Sequence, residues 1–375
     1  MKKKMITRGI KILCLLLVVV LLSGLGMDLC RYYDYNVLKL AGFYAEPRNS
    51  LDVVLMGASE VFTDFSSGQA YDLYGFTSYP YALDAAPASL QESQLREIRN
   101  RQNPKYIVVE INAFLYDDPT QHTNSGSLRR YLNNIPLSIN WAKTVWEVAP
   151  KEDRYFYFYP LAKDHSNWKT VAEQLPHVRD LYSIRMNGSL LKGNVTNLST
   201  HDGPDHRSVS DDRTTAPLEP LAESYLLSFL SYCKEEGIDN VLFVRFPHVI
   251  STEESYARFC RGNEAERIIR EHGFDFINLE WQFEDIGLDA HADFYNEDHL
   301  NIYGQQKLTA YFSRILAEEY GVMETVLKDG QYRAWDQAAL YSRKFISYAQ
   351  HRMEQNQRGA LYENRELIET LENWE

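Results

Sequence analysis

The stretch LDVVLMGASE, residues 51–60, constrains this chain more than any other. Its apolar run stops at Gly57 and Ser59, which is how a strand buried on both faces delivers a hydroxyl to the end of a parallel sheet. Similar short runs recur at YIVVEI (106–111), NVLFVRF (240–246) and FDFINL (274–279). Between them lie amphipathic stretches such as SLQESQLREIRNRQ and PLAESYLLSFLSYCKEEG, which end in polar or glycine signals. This βα alternation predicts an α/β domain: a mostly parallel sheet with helices on both faces.

A second stretch, DFYNEDHLNIYGQQK (293–307), presents His299 just before a long helical pattern. A serine alcohol is a poor nucleophile near neutral pH unless a base takes its proton, and histidine is the usual base. Ser59 and His299 are therefore the candidate nucleophile and base.

The N-terminus carries five basic residues before position 12, then an uncharged apolar run from Ile12 to Met27. Lys11 can snorkel and lengthen that span, and no small-residue cleavage site follows, so an uncleaved signal-anchor is expected. On this reading residues 1–8 are a cytoplasmic basic flank, 9–28 a transmembrane helix and 29–48 a juxtamembrane stalk. The protein would be a single-pass cell-membrane protein whose main domain, 49–322, is extracytoplasmic. Removing the five N-terminal positive charges from a net charge of −13 leaves −18 for the rest, which argues against nucleic acid as a partner.

Residues 117–217 break the βα rhythm and are rich in Tyr, Trp, Asn and Pro, predicting an insertion that forms a lid or one wall of a cleft. Residues 323–375 predict a helical C-terminal tail packed partly on the domain. Four cysteines exclude a disulfide-built scaffold, and pairing of Cys233 with Cys260 is left open by sequence. The cluster His201, Asp202, Asp205, His206 has metal-ligand residue types, but in a Gly- and Pro-containing loop it predicts a solvated segment; no metal and no cofactor is expected.

Gly57-Ala58-Ser59-Glu60 after a strand, PKYIVVEINAF (104–114) at a third-strand position, and His299-Leu300-Asn301 followed by Gly304 together resemble the SGNH/GDSL-type hydrolases. The resemblance spans roughly residues 50–320. It is to their membrane-anchored extracytoplasmic branch, which includes the teichoic acid D-alanine transfer protein and the polysaccharide O-acetylation proteins. It implies a three-layer, flavodoxin-like fold and an acyl-ester transferase or esterase acting on a cell-envelope glycan or polymer. A multi-spanning membrane acyltransferase is the implied partner.

By resemblance, Ser59 is the nucleophile, His299 the base and Asn112 the side-chain donor to the oxyanion. The family's aspartate, three residues before the histidine, is here Asn296, leaving Asp293 and Asp298 as candidate acids; Asp293 is preferred because side chains of adjacent extended residues diverge. In YPYALDAAPASLQ, alanines and Asp84 stand where the family has a glycine. Glu60 completes a GxSE arrangement, with a structural place at a helix N-terminus as the alternative, and His165 and Trp168 resemble an element lining the acceptor site, with packing of the indole under the insertion as the alternative. A catalytically silent SGNH-like domain that binds glycan or scaffolds an envelope complex is the competing reading, supported by Asn296.

Overall fold

The computed structural model describes residues 2–328 and 330–374; Met1 of the basic flank, and Asp329 and Glu375 of the tail, lie outside the described residues. The chain begins with α1 (Lys2–Cys30) and α2 (Tyr35–Ala45). The first half of the sheet region follows as β1 (Val53–Gly57), α3 (Glu60–Thr63), α4 (Ser67–Tyr74), β2 (Ser78–Ala82), α5 (Gln91–Arg101) and β3 (Tyr106–Glu110). Next come α6 (Ser125–Leu132), α7 (Ile139–Val148), α8 (Arg154–Phe158), α9 (Leu161–Asp164), α10 (Val171–Asn187) and β4 (Val195–Asn197). The sheet resumes with α11 (Pro220–Glu235), β5 (Val241–Arg245), α12 (Glu253–Glu271), β6 (Asp275–Asn278) and α13 (Phe283–Ile286). A hairpin of β7 (Phe294–Asn296) and β8 (His299–Leu300) leads into α14 (Ile302–Glu318), and the tail forms α15 (Gln331–Glu354), β9 (Ala360–Tyr362) and α16 (Arg365–Glu372).

Five strands form one parallel sheet in the order β2–β1–β3–β5–β6. Side chains alternate between its faces. Val54, Met56, Ile107, Val109 and Phe243 pack with Leu95 of α5 and Phe229 of α11, whereas Val53, Leu55, Val108 and Val244 pack with Leu308 and Phe312 of α14. Each fully buried aliphatic side chain contributes roughly 1.5–3 kcal/mol, so continuous apolar strands are what a doubly covered sheet demands. Strand order reverses between β1 and β3, and the crevice beyond the carboxyl ends of such strands is the usual ligand site of an open α/β sheet. Ser59 stands there, two residues past the end of β1.

The strand that the sequence reading lacked is β2, SYPYA. Its Pro80 reads as a breaker, but β2 is an edge strand, where a missing N–H is tolerated. The edge is covered by α2: the Tyr79 hydroxyl donates to the Lys39 carbonyl at 2.9 Å, and the Phe43 ring lies 4.4 Å from that of Tyr81. Residues 29–48, expected as a juxtamembrane stalk, thus contain a helix packed on the domain. Asp34 caps α2 by accepting from the Asn36 and Val37 N–H groups, and Val37, Leu38, Leu40 and Phe43 are buried. The apolar spacing of that segment is a helix period that its Tyr-rich composition masked.

The tail is integral as well. Trp335 of α15 is buried, Ser342 meets Ser66 beside α4, and β9 pairs antiparallel with β4 of the insertion. Cys233 and Cys260 are buried free thiols. The helix α1 is long and apolar enough over Ile6–Cys30 to cross a membrane.

Gly304 lies in the first turn of α14 where a Cβ would strike the Asp293 carbonyl oxygen and approach Leu300 Cδ2 to 2.6 Å. That close approach seats the His299 hairpin. Gly304→Ala is expected to destabilise the fold by about 2 kcal/mol, the scale of core overpacking, read as a lower urea midpoint with unchanged slope. A neutral result would show that the hairpin shifts freely.

Candidate active site

Ser59 and His299, 240 positions apart, meet at the carboxyl end of the sheet: Ser59 Oγ lies 2.7 Å from His299 Nε2. The hairpin explains how the histidine arrives. Asn296 and His299 are cross-strand partners about a two-residue turn, so the Asn296 side chain reaches His299 Nδ1 at 2.9 Å. The same Asn296 Oδ1 accepts the Asp298 N–H at 3.0 Å, and two N–H donors converging on one oxygen fix which end of the amide faces the ring. His299 therefore carries its proton on Nδ1 and turns the Nε2 lone pair to the Ser59 hydroxyl. Burial holds the imidazole below its ordinary value, against opposing pulls from Glu60 and Asp298, so the ring is neutral at pH 7. Tyr295 stacks on it with centroids 5.2 Å apart, restricting its rotation.

A buried aspartate that the sequence reading missed ties the two halves together. Asp64, at the end of the α3 turn that begins beside Ser59, accepts the Leu300 N–H at 3.0 Å and the Thr63 hydroxyl at 2.6 Å. It thereby pins the residue after His299 to the helix after Ser59. Burial pushes its carboxyl well above the usual range.

Beneath Ser59 lies a cluster of buried ionisable side chains drawn from the ends of four strands, β1, β3, β5 and β6. The Asn112 side chain donates its Nδ2 to Glu60, and its Oδ1 accepts from Arg245 at 3.1 Å. Arg245 pairs with Glu280 at 3.0 Å, and His248 lies 2.9 Å from Glu280 and 3.7 Å from Glu60. Glu110 accepts the Asn112 N–H at 2.9 Å. Burial, then the Glu60 charge, pushes Glu110 up to about 8, so it holds its proton at neutrality. Burial and Arg245 press His248 downward, but its bond to Glu280 and the nearby Glu60 carboxylate prevail and raise it to about 9. Burial opposes the charge of Glu280, yet Arg245 and His248 hold it down to about 2. With Glu60 likewise held low, two positive and two negative charges balance. Signals for this cluster were present as isolated polar residues at strand ends, Arg245 and Glu280 among them, but spacing alone cannot pair residues so far apart.

The remaining predicted residues fall in different places. Asp293 does not face His299: its carboxylate accepts from Lys307 at 2.6 Å and the Asp289 N–H at 2.7 Å, on the α14 side of the hairpin. Asp298 turns to Arg258, which holds it down to about 2 against the effect of burial. Asn296 occupies the position at Nδ1 assigned in advance to Asp293. Asn112 and Glu60 are buried in the ionic cluster rather than set on an open substrate surface. His165 and Trp168 lie in the turn His165–Thr170, which packs on α1 and α10; Asn167 of that turn bonds the Cys30 carbonyl at 2.8 Å. The insertion is thus divided: its helical part rests on α1, while β4 packs on α3 next to Ser59. Asp84 bonds Tyr35 and Asn36 of α2, and Ala85 takes a left-handed backbone, φ 43°. His291 and Asp205 form an exposed pair at 2.8 Å, and the described residues contain no group of three His, Cys, Asp or Glu placed to hold a metal.

A scan against protein-family models finds no match to this chain, and a search of curated proteins finds no significant match either.

The cluster makes stability depend on pH with a definite sign. Glu110 and His248 both bind a proton more tightly folded than unfolded. The contribution of Glu110 is full below its unfolded value near 4.5 and is lost as pH rises to about 8; that of His248 is full below 6.5 and lost through about 9. The melting temperature should fall between pH 6.5 and 9, and Glu110→Gln, which cannot titrate, should flatten the portion between 4.5 and 8. Parallel curves for the two proteins would rule out a proton on Glu110.

Proposed function

We propose that residues 49–322 form an SGNH-like three-layer domain that transfers or hydrolyses acyl esters through a Ser59 acyl-enzyme. The substrate is a cell-envelope polysaccharide or teichoic-acid-like polymer, and α1 anchors the domain in the membrane with its basic end in the cytoplasm. The observation that carries this reading is the 2.7 Å contact of Ser59 Oγ with His299 Nε2, with Asn296 Oδ1 at 2.9 Å from Nδ1.

In the proposed reaction His299 Nε2 removes the Ser59 proton as Oγ bonds to the acyl carbonyl carbon. The carbonyl π electrons move to oxygen, and backbone N–H groups around Ser59 meet the oxyanion. Collapse breaks the bond to the donor alcohol, which leaves with the proton from Nε2. An acceptor hydroxyl or water then reverses the sequence and releases the acyl group. Asn296 fixes the tautomer as an aspartate would, but supplies no charge; Glu60 and Asp298 are the carboxylates that favour the imidazolium.

Two features narrow the substrate class. Tyr35 follows Cys30 by five positions, at most about 18 Å of chain, and the Tyr35 ring lies 5.8 Å from Phe62 in the Ser59 turn. The serine is therefore near the exit of the anchor, which suits acyl groups handed over by a multi-spanning acyltransferase. A charge of −18 outside the N-terminal flank disfavours a strongly anionic polymer and suits an uncharged acyl group such as acetyl.

A fluorophosphonate probe on the full chain tests the proposal. Labelling should rise with pH along a limb centred below 6.5, because the base is neutral there, and should vanish in Ser59→Ala and His299→Ala. Asn296→Ala should slow it about tenfold or more. Asn296→Asp should move the limb upward by about one pH unit or more, as a new carboxylate beside an imidazole does. Asp293→Asn should leave labelling of folded protein unchanged. The silent reading, favoured by the uncharged Asn296, requires that folded protein with Ser59 intact never labels.

A further inference from the structure

Exposed large apolar side chains outside α1 are concentrated in one segment. Ten of sixteen lie between residues 137 and 186, among them Trp146 (70% exposed), Tyr155, Phe158, Tyr159 and Trp168 (64%). No exposed Trp or Phe of this class lies elsewhere among the described residues. A soluble surface of that kind would be an aggregation liability, so its occupant needs to be identified.

The position of α1 identifies it. Helices α9 and α10 and the turn His165–Thr170 pack against α1. The clamp is polar and specific: Asp28, itself buried, pairs with Arg31 at 3.1 Å and Arg185 at 3.0 Å and accepts from the Tyr182 hydroxyl at 3.1 Å. The 25 residues of Ile6–Cys30 span about 37 Å as a helix, whereas a hydrocarbon core is about 30 Å thick. The turn that holds Asp28 and Cys30 thus falls in the headgroup layer, and the segment fixed to it falls there too.

The chemistry of the segment fits that layer. Tryptophan and tyrosine favour the boundary between headgroups and acyl chains. Residues 139–187 carry seven basic and six acidic side chains in a chain of net charge −13, so this stretch lacks the overall acidity that anionic headgroups would repel. Arg154 lies over the Trp146 ring at 4.4 Å and Lys163 over Phe156 at 5.5 Å, placing cations beside aromatic rings.

We propose that residues 139–187 form a membrane-docking surface whose exposed aromatic side chains enter the headgroup boundary of the leaflet from which α1 emerges. This rests on the reading of α1 as a membrane span. Docking at two places, α1 and the aromatic segment, would fix the height and tilt of the Ser59 site over the bilayer.

All six tryptophans lie outside α1, so tryptophan fluorescence reports on the domain and not on the anchor. The full chain is reconstituted in phosphatidylcholine vesicles, with and without lipid brominated high on the acyl chain, and its flotation is measured at alkaline pH. Flotation with bromine quenching, reduced by at least half in the Trp146→Phe/Trp168→Phe double variant, is the expected result. Flotation without quenching overturns the docking surface while leaving the anchor in place. Failure to float overturns both. Protection of the two tryptophans from aqueous quenchers in native membranes but not in pure lipid overturns lipid as the occupant and assigns the surface to a membrane protein.

Discussion

Charge balance beneath Ser59 is the constraint on which the rest of the site depends. Two cations and two anions, His248, Arg245, Glu60 and Glu280, share a volume with no bulk water, and each group is tolerable only because its partners are present. Removing one partner of such a set typically costs about 3–5 kcal/mol, because a buried charge is left behind. The cluster draws on the ends of β3 and β5, the segment after β6 and the residue after Ser59. It therefore fixes the relative positions of the strand ends that make up the crevice floor.

His299 is held from the opposite side by different means. A two-residue turn, a backbone N–H captured by Asp64, a stacked tyrosine and the close seat at Gly304 each constrain it. None of these is a charge on the imidazole. The hairpin thus supplies orientation, while the field at the ring comes from Glu60 and Asp298. In a serine triad these tasks usually fall to one carboxylate; on the proposed reading they are divided here among Asn296, Glu60 and Asp298.

Much of this was legible in the chain. Four of the five sheet strands, the serine at the end of β1 and the histidine before α14 follow from apolar runs and their terminators. What was not legible has physical causes. β2 was hidden by Pro80, harmless only because the strand is at the edge, and α2 was hidden because its apolar positions lie among tyrosines. Asp293 was preferred on the argument that neighbouring side chains diverge. That argument is sound for Asp298, but the tight turn makes Asn296 the cross-strand neighbour of His299. The ionic cluster could not be found by spacing, since its members are brought together by the sheet and not by the chain.

The short connection between α1 and α2 has a mechanical meaning. A long disordered tether lets a catalytic head sweep a deep volume and trade local concentration for reach. Here the segment after the apolar helix packs against β2, so the α/β domain has almost no slack relative to α1. If α1 spans a membrane as proposed, such a molecule would work within a thin shell, its encounters governed by lateral diffusion in two dimensions rather than by excursions outward. On the proposed function, an acceptor polymer would have to be presented to it at that height.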